Sequence, residues 1–455
     1  MSVARRLAEF LAETRTADLP AQTMEHAAML IASTLASAAA GRDIESARII
    51  RALATERGGR AEASVWFEPH TKLPAADAAQ ANAVMSDAAA SDDSDLRAIV
   101  HCGTPLTAAS LAIAERESKT GEEVLAAIVL GYEAAGRIGE AVTPGFRNRG
   151  FHGCLIAVFA ASVAAARLLG LGPSRMTQAI ALSATSVGGL MAAANTSTAR
   201  EYHAGLATRL GIDAALAAQR NFRGKSRILE CRHGFFESYG GIDAAIAGTE
   251  TTRDLGASWD IVTDMAVKLV PGGHPYHAFA EAAANAAREG DIEAQEVESI
   301  TVSRPGMTAL TGPLHPTDLI DMAHSPAYFT AAGVADRSFG WGHATPEKIK
   351  DPVIHTLIDK IRVGPPPGGP AERYRQGATV TIRTADGREV ADTVFVPKGA
   401  GMLGIDWADI DAKYRTLMPL AGLSDTQIEQ SLALIRGLRR LAPVSKLTGL
   451  MQPQR

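Results

Sequence analysis

One apolar segment constrains the fold of this chain more than any other. Between Phe151 and Leu169 almost every residue is apolar or small, and Arg167 carries the only charge. A helix that is apolar on every face has to be buried on all sides. The segment is also too short and too rich in alanine to cross a bilayer. The sequence therefore predicts a helix in the core of a large helical domain.

Titratable side chains gather just before this helix and just after the helical run that follows it. They are Arg147, Arg149, His152, Arg200, Tyr202 and His203. Cations beside a buried helical hairpin suggest a pocket for an anion.

The composition narrows the classes of function. With 455 residues, 46% of them hydrophobic and 21% charged, the chain is long enough for two or more globular domains. A net charge of −5 gives no electrostatic reason to expect binding to nucleic acid or to an anionic membrane. Three cysteines argue against a disulfide framework, and the N-terminus lacks the apolar run of a signal peptide. We therefore expect a cytoplasmic protein.

The pattern of elements predicts a mainly α protein with two kinds of domain. Residues 1–265 read as helical nearly throughout. Residues 266–403 include alternating β-branched segments and are predicted to form a smaller α+β domain. Residues 404–455 return to helical periodicity, and we expect them to rejoin the first domain.

Short signals predict where individual elements begin or turn. Thr104 and Pro105 are typical of a helix N-cap and its first residue, and Thr120 with Glu123 forms a capping-box sequence. Asp386-Gly387 predicts a hairpin turn between two strands near 378–397.

An acidic run lies close to a histidine in SDDSDLRAIVHCG. Asp92, Asp93 and Asp95 precede His101 by a few residues, and a carboxylate can orient an imidazole and raise its basicity. The alternative is an acidic capping loop with one surface histidine.

KLVPGGHPYH carries a lysine and two histidines in a glycine-rich turn. Lys268 could neutralise a substrate carboxylate or a developing enolate. His274 and His277 could instead bind a metal ion, but no third ligand has suitable spacing and a proline separates them. We therefore expect no metal site.

Two further segments offer polar groups with competing interpretations. Arg200 and His203 lie in AREYHAG, where the arginine could clamp a carboxylate with two parallel hydrogen bonds or form an ordinary surface ion pair. Tyr328, in AHSPAYFTAAG, could donate a proton, although a tyrosine in such a segment is more often part of a core.

Taken together, these stretches resemble the MmgE/PrpD family of 2-methylcitrate dehydratase, cis-aconitate decarboxylase and iminodisuccinate epimerase. The resemblance covers nearly the whole chain and is strongest at DDSDLRAIVHCGTPLTAASLAIAE, GYEAAGRIGE, REYHAGLATRLG, KLVPGGHPYH and SPAYFTAAGV. It implies a large helical domain with a smaller α+β lid, an active site without a cofactor, and a homodimer.

Carried over by position, the resemblance implies that His101, His152, Lys268 and Tyr328 are active-site residues. The chain also departs from the family pattern. Ala90 stands where relatives often begin the acidic run, and Arg200 replaces the lysine of KxxHxG. An arginine cannot exchange protons as a lysine can, so this replacement should alter proton handling.

The resulting functional hypothesis is a lyase of the dehydratase type that removes the proton α to a carboxylate of a small di- or tricarboxylate. Epimerisation, decarboxylation and an inactive carboxylate-binding relative are the alternatives. The predicted catalytic residues are His101, His152, Lys268, Tyr328 and Asp93. The predicted substrate-binding residues are Arg200, His203, Asp92, His277 and Arg149.

Overall fold

The computed structural model describes residues 1–186 and 188–453, and helices predominate among them. Val187, inside the predicted central segment, lies outside the described residues. The chain divides into two compact units. One comprises Met1–Val267 and Gly404–Arg455, and the other comprises Lys268–Leu403.

The first unit is built from helices, with two small antiparallel strand pairs. Strand β1 (Ala63–Ser64) pairs with β2 (Lys72–Leu73), and β3 (Asp93–Asp95) pairs with β4 (Met265–Val267). Its helices up to β4 are α1 Val3–Glu13, α2 Ala21–Gly41, α3 Glu45–Arg57, α4 Ala75–Ala88, α5 Gly103–Arg116, α6 Gly121–Val142, α7 Gly145–Asn148, α8 Cys154–Leu168, α9 Pro173–Ser183, α10 Met191–Thr196, α11 Ala199–Gln219, α12 Ala244–Thr251 and α13 Asp260–Thr263.

Helix α8 is the predicted apolar helix, and it packs against α5, α6, α9 and α11. Glycines let two of these neighbours approach closely. A Cβ at Gly131 of α6 would lie 2.7 Å from the Ala160 carbonyl oxygen, and a Cβ at Gly211 of α11 would lie 2.8 Å from the Val158 carbonyl oxygen. Small residues on both sides thus bury α8 almost completely, as its composition requires.

The second unit combines a four-stranded sheet with helices. The strand order is β6-β5-β7-β8; β5 runs parallel to β6 and antiparallel to β7, which is antiparallel to β8. Its elements are α14 His277–Glu289, β5 Val297–Ser303, α15 Leu319–Ala323, α16 Pro326–Asp336, α17 Pro346–Ile349, α18 Pro352–Ile358, β6 Ile361–Val363, β7 Ala378–Thr384 and β8 Glu389–Val394.

The core of the second unit lies between this sheet and α14. Inward-facing residues such as Ile300, Val380 and Ile382 are fully buried, and so is Phe279 on α14. Because α14 contacts β7, β8 and α16, one hydrophobic core joins the sheet and the helices of this unit.

The last segment returns to the first unit, where α19 packs against α2. Lys413 on α19 is buried and donates from Nζ to Ser33 Oγ at 2.7 Å and to the Ser91 carbonyl oxygen. These bonds fix the C-terminal segment to the loop that precedes β3. The helices of this segment are α19 Trp407–Leu417, α20 Asp425–Arg436 and α21 Ser445–Leu450.

The structure confirms the mainly α fold, with a large helical part and a smaller α+β part. It also confirms the Thr120–Glu123 capping box at the start of α6 and the hairpin between β7 and β8. None of the helices among residues 1–186 and 188–453 combines the length and the hydrophobicity needed to cross a membrane.

The predicted start of α5 is wrong by two positions. The helix begins at Gly103, and Thr104 and Pro105 lie in its first turn. The Gly103 amide donates to Asp93 Oδ1 at 2.8 Å. A side chain ten residues away therefore caps the helix, so a local N-cap residue is not needed.

Candidate active site

His101 lies in the loop between β3 and α5, and that loop fixes its ring. Its Nδ1 is 2.6 Å from the Asp93 carbonyl oxygen and 3.1 Å from Asp92 Oδ2. Both partners are acceptors, so Nδ1 carries the hydrogen and Nε2 is the nitrogen that can accept a proton. About a fifth of the side chain (21%) is exposed, whereas Asp92 is buried. The loop thus presents an oriented imidazole at a partly open position.

Asp93 supports this loop in two ways. Its backbone carbonyl holds His101, and its side chain caps α5 through Gly103 and lies 3.4 Å from the Tyr132 hydroxyl. The backbone of Asp93 is in turn paired with Val267 across β3 and β4. Asp93 therefore positions the histidine through its main chain.

Asp95, the third carboxylate of the acidic run, stabilises the turn that follows it. Its Oδ1 accepts hydrogen bonds from the backbone amides of Arg97 and Ala98 at 2.9 and 2.7 Å. Burial raises the pKa of Asp95 to about 6. Asp95 lies near His101 in the sequence, but in the structure its side chain stabilises a turn.

His152 lies immediately before α8, and its amide donates to the Gly189 carbonyl oxygen at 2.8 Å. Burial lowers the pKa of His152 well below its usual value, and nearby His101, His203, Arg200 and Arg147 lower it further. His152 is therefore neutral at physiological pH. Because all of these residues act on His152, the segments around residues 101, 147–152 and 200–203 lie close together.

His203, on α11, faces His152 with ring centroids 5.1 Å apart. Burial lowers the pKa of His203 as well, although Asp87 partly opposes this effect. Cys154 joins the pair, and one potential ligand atom from each of the three residues lies within 4.8 Å of the others. Burial raises the pKa of the Cys154 thiol to about 12. The sequence analysis missed this cluster because its members are up to 51 positions apart.

Arg200 is anchored to the end of α4. Its Nε donates to Asp87 Oδ2 at 2.9 Å, and its Nη2 donates to the Asp87 carbonyl oxygen at 2.7 Å. Burial alone would lower the pKa of Arg200, but Asp87, Glu201 and Asp92 hold it above its usual value. The Nε–Nη2 edge of the guanidinium is therefore committed to the protein, and a bidentate clamp on a substrate would need its other edge.

Lys268, His277 and Tyr328 belong to the second unit. Lys268 is buried. His277 stacks on Phe329 with ring centroids 5.8 Å apart, and burial, followed by His274 and Lys268, lowers its pKa well below the usual value. The catalytic role of Lys268 and the substrate-binding role of His277 stay predictions.

Tyr328 is a core residue of the second unit. It is fully buried, and its hydroxyl donates to the carbonyl oxygens of His343 and Lys348 at 2.9 and 3.1 Å. Burial raises its pKa above the usual value. As a proton donor it would first have to exchange these internal hydrogen bonds for one to a substrate.

Of the two arginines that precede α8, Arg147 is the one whose charge acts on His152. Arg149, the predicted substrate-binding residue, is exposed, and its Nη1 lies only 3.1 Å from where a Cβ at Gly241 would be. Arg147 and Arg149 lie two positions apart in one short turn but have different surroundings. The sequence alone could not show which of them lies near His152.

Two family domains cover this chain. The MmgE/PrpD N-terminal domain matches residues 5–246, and the MmgE/PrpD C-terminal domain matches residues 271–435. The chain belongs to the MmgE/PrpD family. This confirms the resemblance drawn from the sequence motifs.

Several curated members of the MmgE/PrpD family are similar over most of their length. Cis-aconitate decarboxylase-like protein oryM of Aspergillus oryzae is 26% identical over 423 residues, covering 88% of this chain and 87% of that protein. Cis-aconitate decarboxylase of Homo sapiens is 23% identical over 99% of this chain and 95% of its own length. Cis-aconitate decarboxylase of Aspergillus terreus is 24% identical over 99% and 96%, respectively.

Proposed function

We propose that this MmgE/PrpD protein is a lyase that acts, without a cofactor, on a small di- or tricarboxylate by removing the proton α to a carboxylate. The observation that carries the proposal is the pair of acceptors on His101 Nδ1, at 2.6 and 3.1 Å. They fix the tautomer in which Nε2 is a base and stabilise the imidazolium that forms when it takes a proton.

A proton α to a carboxylate is weakly acidic, so a base alone is insufficient. The negative charge that develops on the carboxylate oxygens has to be stabilised as the proton leaves. His152 suits this task because its low pKa keeps it neutral, and a neutral imidazole can donate a hydrogen bond without giving up its proton. Arg147 adds a positive charge nearby.

Arg200 contributes in this proposal mainly through its position. Its ion pair with Asp87 joins α11 to the end of α4, which keeps His203 and the start of α11 in place. Substrate contact through Arg200, Arg149, His203 or His277 remains a hypothesis. The same holds for proton transfer by Lys268 or Tyr328.

Dehydration is our first candidate reaction, because an oriented base matches the removal of a proton from carbon before a β-hydroxyl leaves as water. Decarboxylation is the second candidate, and the relatives named cis-aconitate decarboxylase favour it. A decarboxylase uses the same stabilisation of negative charge, but the bond that breaks joins carbon to a carboxylate and the proton is added afterwards.

The test is NMR of the purified protein in D2O with two matched substrates, the hydroxy acid 2-methylcitrate and the unsaturated acid cis-aconitate. A dehydratase converts the hydroxy acid to an alkene and incorporates deuterium at carbon in the reverse direction. A decarboxylase releases CO2 from cis-aconitate and incorporates one deuterium from the solvent at a carbon of the product. Deuterium exchange without net conversion would instead identify an epimerase.

His101→Gln provides the control for this assay, because it keeps a polar side chain of similar length but lacks the imidazole base. We expect loss of both exchange and conversion in this variant. If the wild-type protein binds these acids but neither exchanges nor converts any of them, the lyase proposal is wrong and a carboxylate-binding role replaces it.

A further inference from the structure

We propose that His152, Cys154 and His203 form a binding site for a divalent ion of the zinc type. The proposal departs from the sequence-based expectation that the protein has no metal site. It concerns the first unit of the chain, where all three residues lie.

The distances suit this assignment. One ligand atom from each residue lies within 4.8 Å of the other two. In a tetrahedral zinc site, bonds of about 2.3 Å to sulfur and about 2.0 Å to nitrogen place ligand atoms roughly 3.3–3.8 Å apart. Side-chain rotations that bring these atoms closer together would close the cluster around an ion.

Each of the two histidines has a ring nitrogen that makes no hydrogen bond within the described chain. The Nδ1 atoms of both His152 and His203 are buried, and no hydrogen-bond partner is found for either among residues 1–186 and 188–453. A buried polar atom without a partner costs free energy, which a coordinated ion would recover. The Cys154 thiol makes a long contact, 3.9 Å from Sγ to the His152 carbonyl oxygen.

Gly189 leaves room beside the thiol and the second imidazole. A Cβ at this position would lie 2.6 Å from Cys154 Sγ and 2.9 Å from His203 Nδ1. Cys154 Sγ and His203 Nδ1 therefore lie close to the same point, the position of that Cβ. Any larger residue at Gly189 would force these two ligand atoms apart.

The chemistry of the three ligands selects the class of metal. A thiolate with two imidazoles suits Zn2+ or Co2+, whereas Mg2+ and Ca2+ prefer oxygen ligands. On binding, the thiol proton of Cys154 passes to solvent, and the thiolate cancels one of the two charges of the ion. Three protein ligands leave a fourth position for water or for an anion such as a carboxylate.

The test titrates Co2+ and Zn2+ into full-length protein freed of metal with a chelator. We expect one equivalent of Co2+ to give a thiolate-to-cobalt charge-transfer band and the intense visible bands of a tetrahedral site. Zn2+ should displace the Co2+ with a dissociation constant on the order of 1 µM or lower. X-ray absorption of the zinc protein should show one sulfur and two or more nitrogen or oxygen neighbours.

Cys154→Ser should abolish the charge-transfer band and weaken Zn2+ binding at least about tenfold. Cys231→Ser, at a half-buried cysteine outside the cluster, is the matched control and should retain both. A zinc protein without a sulfur neighbour, or a Co2+ spectrum unchanged by Cys154→Ser, would overturn the site. The absorption measurement uses wild-type protein, so it decides the question even if a variant fails to fold.

Zinc should also inhibit carbon–deuterium exchange in step with occupancy, because the ion and its fourth ligand fill the space between His152 and His203. This consequence rests on the proposed lyase function, whereas metal binding does not. A sulfur-containing zinc site in a protein that exchanges no carboxylate proton would refute the lyase and leave the site. Exchange that continues at full zinc occupancy would refute the inhibition.

Discussion

Replacing Glu201 by glutamine should make the protein more stable at alkaline pH. Glu201 lies in the first turn of α11, and its side chain is only 3% exposed. Its Oε1 is 3.5 Å from Arg200 Nη2, and no hydrogen-bond partner is found for Oε2 among the described residues. Burial raises the pKa of Glu201 to about 7; Arg200 opposes this shift and Asp87 adds to it.

The sign and size of the effect follow from linkage. A carboxyl group whose pKa rises from 4.5 to about 7 on folding binds its proton more tightly in the folded state. Its contribution to stability is complete below pH 4.5 and is lost as the pH rises through 7. Each pKa unit corresponds to about 1.4 kcal/mol, so the loss approaches roughly 3 kcal/mol above pH 7. Glutamine resembles the protonated form and does not titrate.

Urea unfolding of both proteins from pH 5 to pH 8.5 measures this difference. We expect the free energies of unfolding to be similar at pH 5 and to diverge as the pH rises, with Glu201→Gln more stable by up to about 3 kcal/mol at the upper end. Asp95, whose pKa of about 6 gives a loss of the same sign, is present in both proteins and cancels. Glu56→Gln, at an exposed glutamate of α3, is the control. A difference that does not change with pH would refute the reasoning.

Three other predictions concern the site and the assembly. His101→Ala should lower turnover by roughly 10²- to 10⁴-fold with little change in melting temperature, and a folded variant of near-wild-type rate would exclude His101 as the base. Arg200→Ala should lower the free energy of unfolding by about 3–5 kcal/mol, because it leaves Asp87 as an unpaired buried charge, and the urea midpoint measures this loss. If Arg200→Ala changed the kinetic constants but left the free energy of unfolding unchanged, that result would favour a bidentate carboxylate clamp by Arg200. Light scattering at micromolar concentration should give the mass of a homodimer, and the mass of one chain would contradict this expectation.

Much of the fold was predictable, because periodicity and capping are local. The apolar segment that became α8, the capping box at Thr120 and the hairpin at Asp386-Gly387 all depend on neighbours within a few residues. The start of α5 was not predictable in this way, since Asp93, ten residues earlier, replaces the local cap. Local sequence signals predict the start of an element correctly when no distant side chain caps it.

The sequence selected candidate residues for the site but could not give their contacts. The motifs identified His101, His152, Arg200 and His203, since each is a titratable residue in a distinctive segment. The sequence could not show that Arg200 is bound to Asp87 or that Cys154 faces both His152 and His203. Those contacts depend on how α4, α8 and α11 pack, which is decided by small residues along entire helices.

His101 Nδ1 lies 2.6 Å from a main-chain carbonyl oxygen, that of Asp93. Every amino acid carries this group, so no substitution at Asp93 removes the acceptor that selects the histidine tautomer. A substitution at Asp93 can therefore change the cap of α5 and still leave the same nitrogen of His101 as the proton acceptor. The path of the backbone thus selects which nitrogen of His101 can accept a proton, and we expect a different side chain at Asp93 to change stability before it changes the tautomer.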